Sequence, residues 1–194
     1  MKRAFLLLAV GIFSIALVSS CGGSKGSGGP QAFEDPFQDL INEANAIIDA
    51  GGVAAVGQGT SARQDLAKQK ATTDARGGLA EIFNAKVQRM NKSFQEEIGS
   101  ADDSEINEAF TTVTKTLSSQ VLAGAVVKKA KYYKTESAQF TCGALVAIEP
   151  NKVNMSILDE LQNKDKKLYE RFRASQAYDE LKQEMSDYEE QQGY

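Results

Sequence analysis

The sequence predicts an α+β domain, with a small antiparallel or mixed three-stranded sheet covered on one face by helices in the order α-β-α-α-β-β-α. Long stretches carry apolar residues at helical spacing, two stretches alternate apolar and polar residues around a short polar turn, and one short apolar run is bounded by glycines. The strand order does not follow from these patterns.

The first helix is expected at Asp35-Pro36, an N-cap followed by proline, with Gln38 placed to close a capping box. Phe37, Leu40, Ile41, Ala44, Ile47 and Ile48 form its apolar stripe, and Gly51-Gly52 stops it. Val53-Ala54-Ala55-Val56 then reads as a short buried strand. Ser61, with Gln64 three residues on, is expected to cap a long helix that runs to about Ile98. Its stripe is small at Ala67, Ala71, Ala75 and Gly78, where a backbone can approach a sheet. It turns bulky at Leu79, Ile82, Phe83, Met90, Phe94 and Ile98, and Gly99 ends it. Asp102-Asp103 starts the next helix, whose face is Ile106, Phe110, Val113, Leu117 and Val121.

Gly124 opens a strand from about Ala125 to Lys134, Thr135-Glu136 turns the chain, and a second strand runs from Ser137 to Glu149. There Ala138, Phe140, Cys142, Ala144, Val146 and Ile148 alternate with more polar residues. Pro150-Asn151 begins a final helix that either reaches the charged C-terminal end or breaks near Ser175. Its stripe includes Ile157, Leu161, Leu168, Phe172, Leu181, Met185 and Tyr188. The expected organisation is a signal peptide over 1–20, a tether over 21–34, the α+β domain over 35–175 and a helical extension over 176–194.

The N-terminal reading rests on Lys2-Arg3 followed by an apolar run from Ala4 to Val18. That run is shorter than the about 20 residues of a spanning helix and matches a secretory signal core. Its end, Val18-Ser19-Ser20-Cys21, resembles the lipobox of bacterial lipoproteins, which implies cleavage before Cys21 and acylation of that residue. Two or more acyl chains hold a protein stably at a membrane, at about 0.8 kcal/mol per buried methylene. The Gly/Ser-rich segment from Gly22 to Ala32 has the composition of a flexible tether, with a span of about 17–20 Å root-mean-square. The first partner expected is therefore the membrane itself, through the N-terminal lipid.

Charge and composition exclude several classes of function. The 194-residue chain has a formal net charge of −4, and its leader carries Lys2 and Arg3 without an acid, so the remainder is more acidic still. Nucleic acid is not an expected partner. The chain contains no histidine, which removes Ser-His and Cys-His pairs and imidazole metal ligands. No cofactor and no metal site is expected. With Cys21 acylated, Cys142 has no partner for an intrachain disulfide. Its neighbours place it on the apolar side of a strand, as a small hydrophobe.

The stretch AVGQGTSARQDLAKQKATTDARGGLAEIFNAKVQ resembles the Lpp-twenty family of envelope lipoproteins, through Ala71, Asp74-Ala75-Arg76 and Leu79-Ala80. The later hairpin, YYKTESAQFTCGALVAIEP, is also similar, so the resemblance covers about Val53 to Pro150. It implies an outer-membrane-associated lipoprotein with an α+β domain, a surface antigen or motility component, and it brings no functional residues with it.

Gly57-Gln58-Gly59-Thr60-Ser61-Ala62 has the form G-x-G-x-x-A of a dinucleotide fingerprint. The parallel strand and acidic ribose ligand that should follow are missing, so a tight glycine turn into the long helix is the preferred reading. Asp102-Asp103 and Glu189-Glu190 read as a helix start and a solvated tail. A possible binding face is Lys128, Lys129, Lys131, Tyr132, Tyr133 and Lys134 on one strand, weighed against an edge charged to discourage pairing. The expected function is a non-catalytic, membrane-anchored envelope scaffold, adaptor or surface component, with an envelope protein or a second copy as partner. The alternative is a regulatory or ligand-binding module that recognises cell-wall glycan or an envelope enzyme through the lysine-tyrosine strand.

Overall fold

A computed structural model describes residues 35–99 and 103–192, which belong to the unit Asp35–Tyr194. The leader, Cys21 and the tether lie outside the described residues. The elements are α1 (Gln38–Asp49), β1 (Val53–Ser61), α2 (Gln64–Glu97), α3 (Ser104–Gly124), β2 (Val126–Lys134) and β3 (Phe140–Ile148), followed by α4 (Pro150–Lys164), α5 (Lys166–Arg173) and α6 (Gln176–Gln192). The expected α+β class and element order hold, with the last helix divided in three. One break is at Ser175; the other is at Asp165, whose side chain accepts from the N–H groups of Lys167 and Leu168 and so caps a new helix.

The sheet has the order β1-β3-β2, and both pairings are antiparallel. β1 is longer than expected. It continues through Gly57 and Gly59 to Ser61, paired with β3 from Val53↔Ile148 to Ser61↔Phe140. Both glycines face α2. A Cβ on Gly57 would lie 2.1 Å from Ala75 N and 2.3 Å from Ala71 O, and one on Gly59 would lie 2.6 Å from Ala67 O. The small stripe of α2, Ala67, Ala71 and Ala75, thus rests almost directly on the β1 backbone. The glycines serve this close approach and do not form a turn.

Helix α2 is about 50 Å long by its residue count. Its bulky half continues into a second layer, where Leu79, Phe83, Val87, Met90 and Phe94 share one core with residues of α3, α4, α5 and α6. Phe172 of α5 is fully buried there, edge-on to Phe94 at 5.4 Å, Phe110 at 6.0 Å and Tyr178 at 6.1 Å. Ala177 and Leu181 bury α6 in the same core, so residues beyond 175 pack as part of the unit. A part-buried polar bridge joins α2 to α3 in this layer: Gln95 Nε2 donates to Asn91 Oδ1 and Asn107 Oδ1, each at 2.8 Å.

The main helical layer covers the α2 face of the sheet, as expected. Helix α1 adds cover on the opposite face, where Phe37, Leu40 and Ala44 pack with Ala54, Leu145 and Ala147. Phe37 sits in a notch left by Gly143, whose added Cβ would lie 2.2 Å from the Phe37 ring.

Several helix starts differ from expectation. Asp35 Oδ1 accepts from Phe37 N at 2.8 Å, but Gln38 Nε2 turns forward to Asn42, so no capping box closes. Ser61 ends β1, its hydroxyl accepts from Arg63 N, and α2 begins one residue later. Asp103 does cap α3, accepting from Glu105 N and Ile106 N. The β2–β3 connection runs from Thr135 to Gln139, with Ala138 in the left-handed region at φ 58°, so β3 starts at Phe140 and not at Ser137.

Candidate functional site

Antiparallel alternation splits the lysine-tyrosine strand between the two sheet faces. Lys129, Lys131 and Tyr133 lie opposite Leu145, Gly143 and Thr141. On that α1 face Tyr133 packs edge-on against Phe37 at 5.2 Å, and its hydroxyl donates to Pro36 O. Ala130 and Tyr132 lie on the α2 face with Phe140, beside the buried Cys142. A β-bulge between Val127 and Lys129 leaves Lys128 without a register partner. The six residues do not form one face.

Three of the lysines meet carboxylates. Lys131 Nζ lies 2.7 Å from Asp39, Lys129 Nζ lies 3.0 Å from Glu43 and 3.9 Å from Asp39, and Lys128 Nζ lies 2.8 Å from Glu149. Lys134 makes no ion pair among the described residues. The hydrogen bond from Lys131 holds the Asp39 carboxyl below the usual carboxylate range, and Lys128 does the same for Glu149. Lysines 129 and 131 therefore clasp α1, the first helix of the unit, to the sheet.

Because the folded pKa of Asp39 lies below its unfolded value, the pair stabilises the fold above the unfolded pKa and loses that effect as pH falls through the folded one. Acidification below about pH 4 is expected to speed amide hydrogen exchange in α1 before it does so in α2. Lys129→Met combined with Lys131→Met should show fast α1 exchange at neutral pH and little further acid response. An unchanged acid response in that variant would remove the clasp from the explanation.

The two sheet edges differ. On β1, the Gln58 N–H donates to Asp74 Oδ2 at 2.9 Å and the Thr60 carbonyl accepts from Lys70 Nζ at 3.0 Å, so α2 side chains cover part of that edge. Asp74 belongs to the Asp-Ala-Arg pattern, and its position one helical turn after Lys70 was the available signal for this role. Strand β2 is exposed or half-exposed throughout.

The remaining sequence candidates separate as follows. Gly57 and Gly59 form neither a phosphate loop nor the expected turn. Cys142 is buried, and burial pushes its thiol pKa up, so at neutral pH it is a thiol and not a thiolate nucleophile. Among the described residues no three acids or cysteines gather as a cation site, and no helix is long and apolar enough to cross a membrane.

One polar cluster was not singled out from the sequence. Lys86 Nζ donates to Glu184 Oε2 at 2.6 Å and to Gly51 O at 3.0 Å, while Asn154 Nδ2 donates to the same Glu184 oxygen at 2.8 Å. It joins the end of α1 to α2, α4 and α6. The only signal was a lysine among the bulky positions of α2, between Phe83 and Met90. A cleft of about 360 Å³ opens beside it.

Comparison with protein-family models, with curated proteins and with solved structures finds no match. The fold class, an α+β unit with a three-stranded antiparallel sheet, stands on the structure alone.

Proposed function

We propose that this chain is a lipid-anchored lipoprotein of the bacterial envelope, at the outer membrane, whose folded unit acts by binding as a scaffold, adaptor or surface component and not by catalysis. The observation that carries the reading is Val18-Ser19-Ser20-Cys21 at the end of a short apolar run, followed by a Gly/Ser-rich segment before the folded unit at Asp35. The chain's lack of histidine and the inert environment of Cys142 support a non-catalytic role. The resemblance of Val53 to Pro150 to the Lpp-twenty family agrees with it.

Metabolic labelling with an acyl-chain probe tests the anchor. Wild type is expected to take up label and Cys21→Ala to lose it, whereas equal labelling of the two removes the proposal. Crosslinking in intact cells then identifies the partner, whether another envelope protein or a second copy.

The exposed edge of β2 favours a second reading, a module that recognises cell-wall glycan or an envelope enzyme through this strand. Lys134→Glu is the informative variant, because Lys128, Lys129 and Lys131 also hold ion pairs inside the unit. Pull-downs on glycan and envelope extract are expected to weaken several-fold with Lys134→Glu. Unchanged pull-downs eliminate this reading.

A further inference from the structure

The cleft beside Lys86 lies between the end of α1, the middle of α2 and the start of α6. Its size falls within the range of small-molecule sites, about 300–1,000 Å³. Ile48, Ile82, Met90 and Leu181 give it an apolar lining. Its charged lining residues are Lys86, Glu184, Arg89, Asp49 and Glu180.

Their pairing decides what the cleft attracts. Lys86 and Glu184 neutralise each other at 2.6 Å. Of the other three, two are carboxylates and one is a guanidinium, and none is in an ion pair among the described residues. The balance is one negative charge. The C-terminal end of α1 also reaches the cleft at Ile48 and Asp49 and contributes the negative end of its dipole. The positive end of α6 opposes this less than it otherwise would, because Glu97 Oε2 accepts from Gln176 N at 2.8 Å. Behind the wall, the fully buried Asn154 has an Oδ1 with no hydrogen-bond partner among the described residues.

We infer that this cleft binds a primary ammonium group carried on a short apolar chain. Glu180 and Asp49 take the ammonium, and the chain lies on Ile82, Met90 and Leu181. A carboxylate ligand of the same size meets the surplus negative charge and is rejected. A free alkylamine and the lysine side chain of a partner protein offer the same chemistry. The inference is independent of the lipid anchor, so failure of either leaves the other standing.

The test uses the full-length chain labelled with carbon-13 at its methionine methyl groups. Met90 lines the cleft, and Met155, 53% exposed on α4 and lining a different cavity, serves as the internal control. The probes are n-pentylammonium, n-pentanol, pentanoate and a terminally blocked pentapeptide with a central lysine. Pentylammonium is expected to shift Met90 saturably, about tenfold more tightly than pentanol, without moving Met155. Glu180→Gln combined with Asp49→Asn should weaken this binding about tenfold. Both residues are exposed, so the unfolding temperature of the double variant should match wild type. Binding of the blocked peptide at least as tight as that of pentylammonium assigns the site to a partner's lysine, and tighter binding of pentylammonium assigns it to a free amine. No Met90 shift up to about 10 mM, equal responses to the charged and neutral probes, or full binding by the double variant would falsify the inference.

Discussion

Gly57→Ala is expected to destabilise the unit by about 3 kcal/mol, with Gly57→Val worse, measured as a fall in the urea midpoint of unfolding at unchanged slope. One added carbon at Gly57 would lie 2.1 Å from Ala75 N and 2.3 Å from Ala71 O. Those are backbone atoms of a long helix, so no side chain can turn aside; either α2 lifts from the sheet or β1 bends. Lifting α2 also loosens Ala67, Ala71 and Cys142, which share a small core beneath it. Gly77→Ala in the same helix is the matched control. A Cβ there meets nothing within 4 Å, and replacing a helical glycine stabilises by about 0.5–1 kcal/mol. Equal and small effects at the two positions would contradict the close contact of α2 with β1.

The second large effect is expected at Phe172. Phe172→Ala should cost about 3–5 kcal/mol, the range for deleting a buried aromatic side chain. Its ring is fully buried and touches aromatic rings from α2, α3 and α6. The short helix α5 has one other buried residue, Leu168, so loss of the Phe172 ring should free the C-terminal helices before the sheet. Hydrogen exchange after Phe172→Ala is expected to rise in α5 and α6 while β1 and β3 stay protected. Uniform loss of protection would show that the two layers unfold as one.

The helices were legible because their stripes are local. Ala67, Ala71 and Ala75 followed by Leu79, Phe83 and Phe94 mark one helix with two packing partners, and the structure places a sheet under the first group and a helical layer under the second. The β2–β3 hairpin was legible for the same reason, although its alternation gave no sign of the bulge at Val127. The full length of β1 was not legible. A glycine reads locally as a turn, and the reason for Gly57 is the backbone of a helix residue well beyond it in the chain. The lysine-tyrosine strand failed similarly as a single face. Lys131 and Asp39 are far apart in sequence, and nothing near either one announces the pair.

Local residue spacing and composition carried the element types and the expectation of a lipid anchor at Cys21. Cys21 after its short apolar run, the glycine- and serine-rich composition of the residues that follow it and the lack of histidine are matters of covalent chemistry and composition, which need no fold. Hydrophobic period determined the helices and strands, because burial of one face is a local demand on residue spacing. Contacts between distant segments are what carry β1 through its glycines, take α1 to the far face under a lysine clasp and bring opposite charges together around the cleft beside Lys86. Such contacts leave no period in the chain.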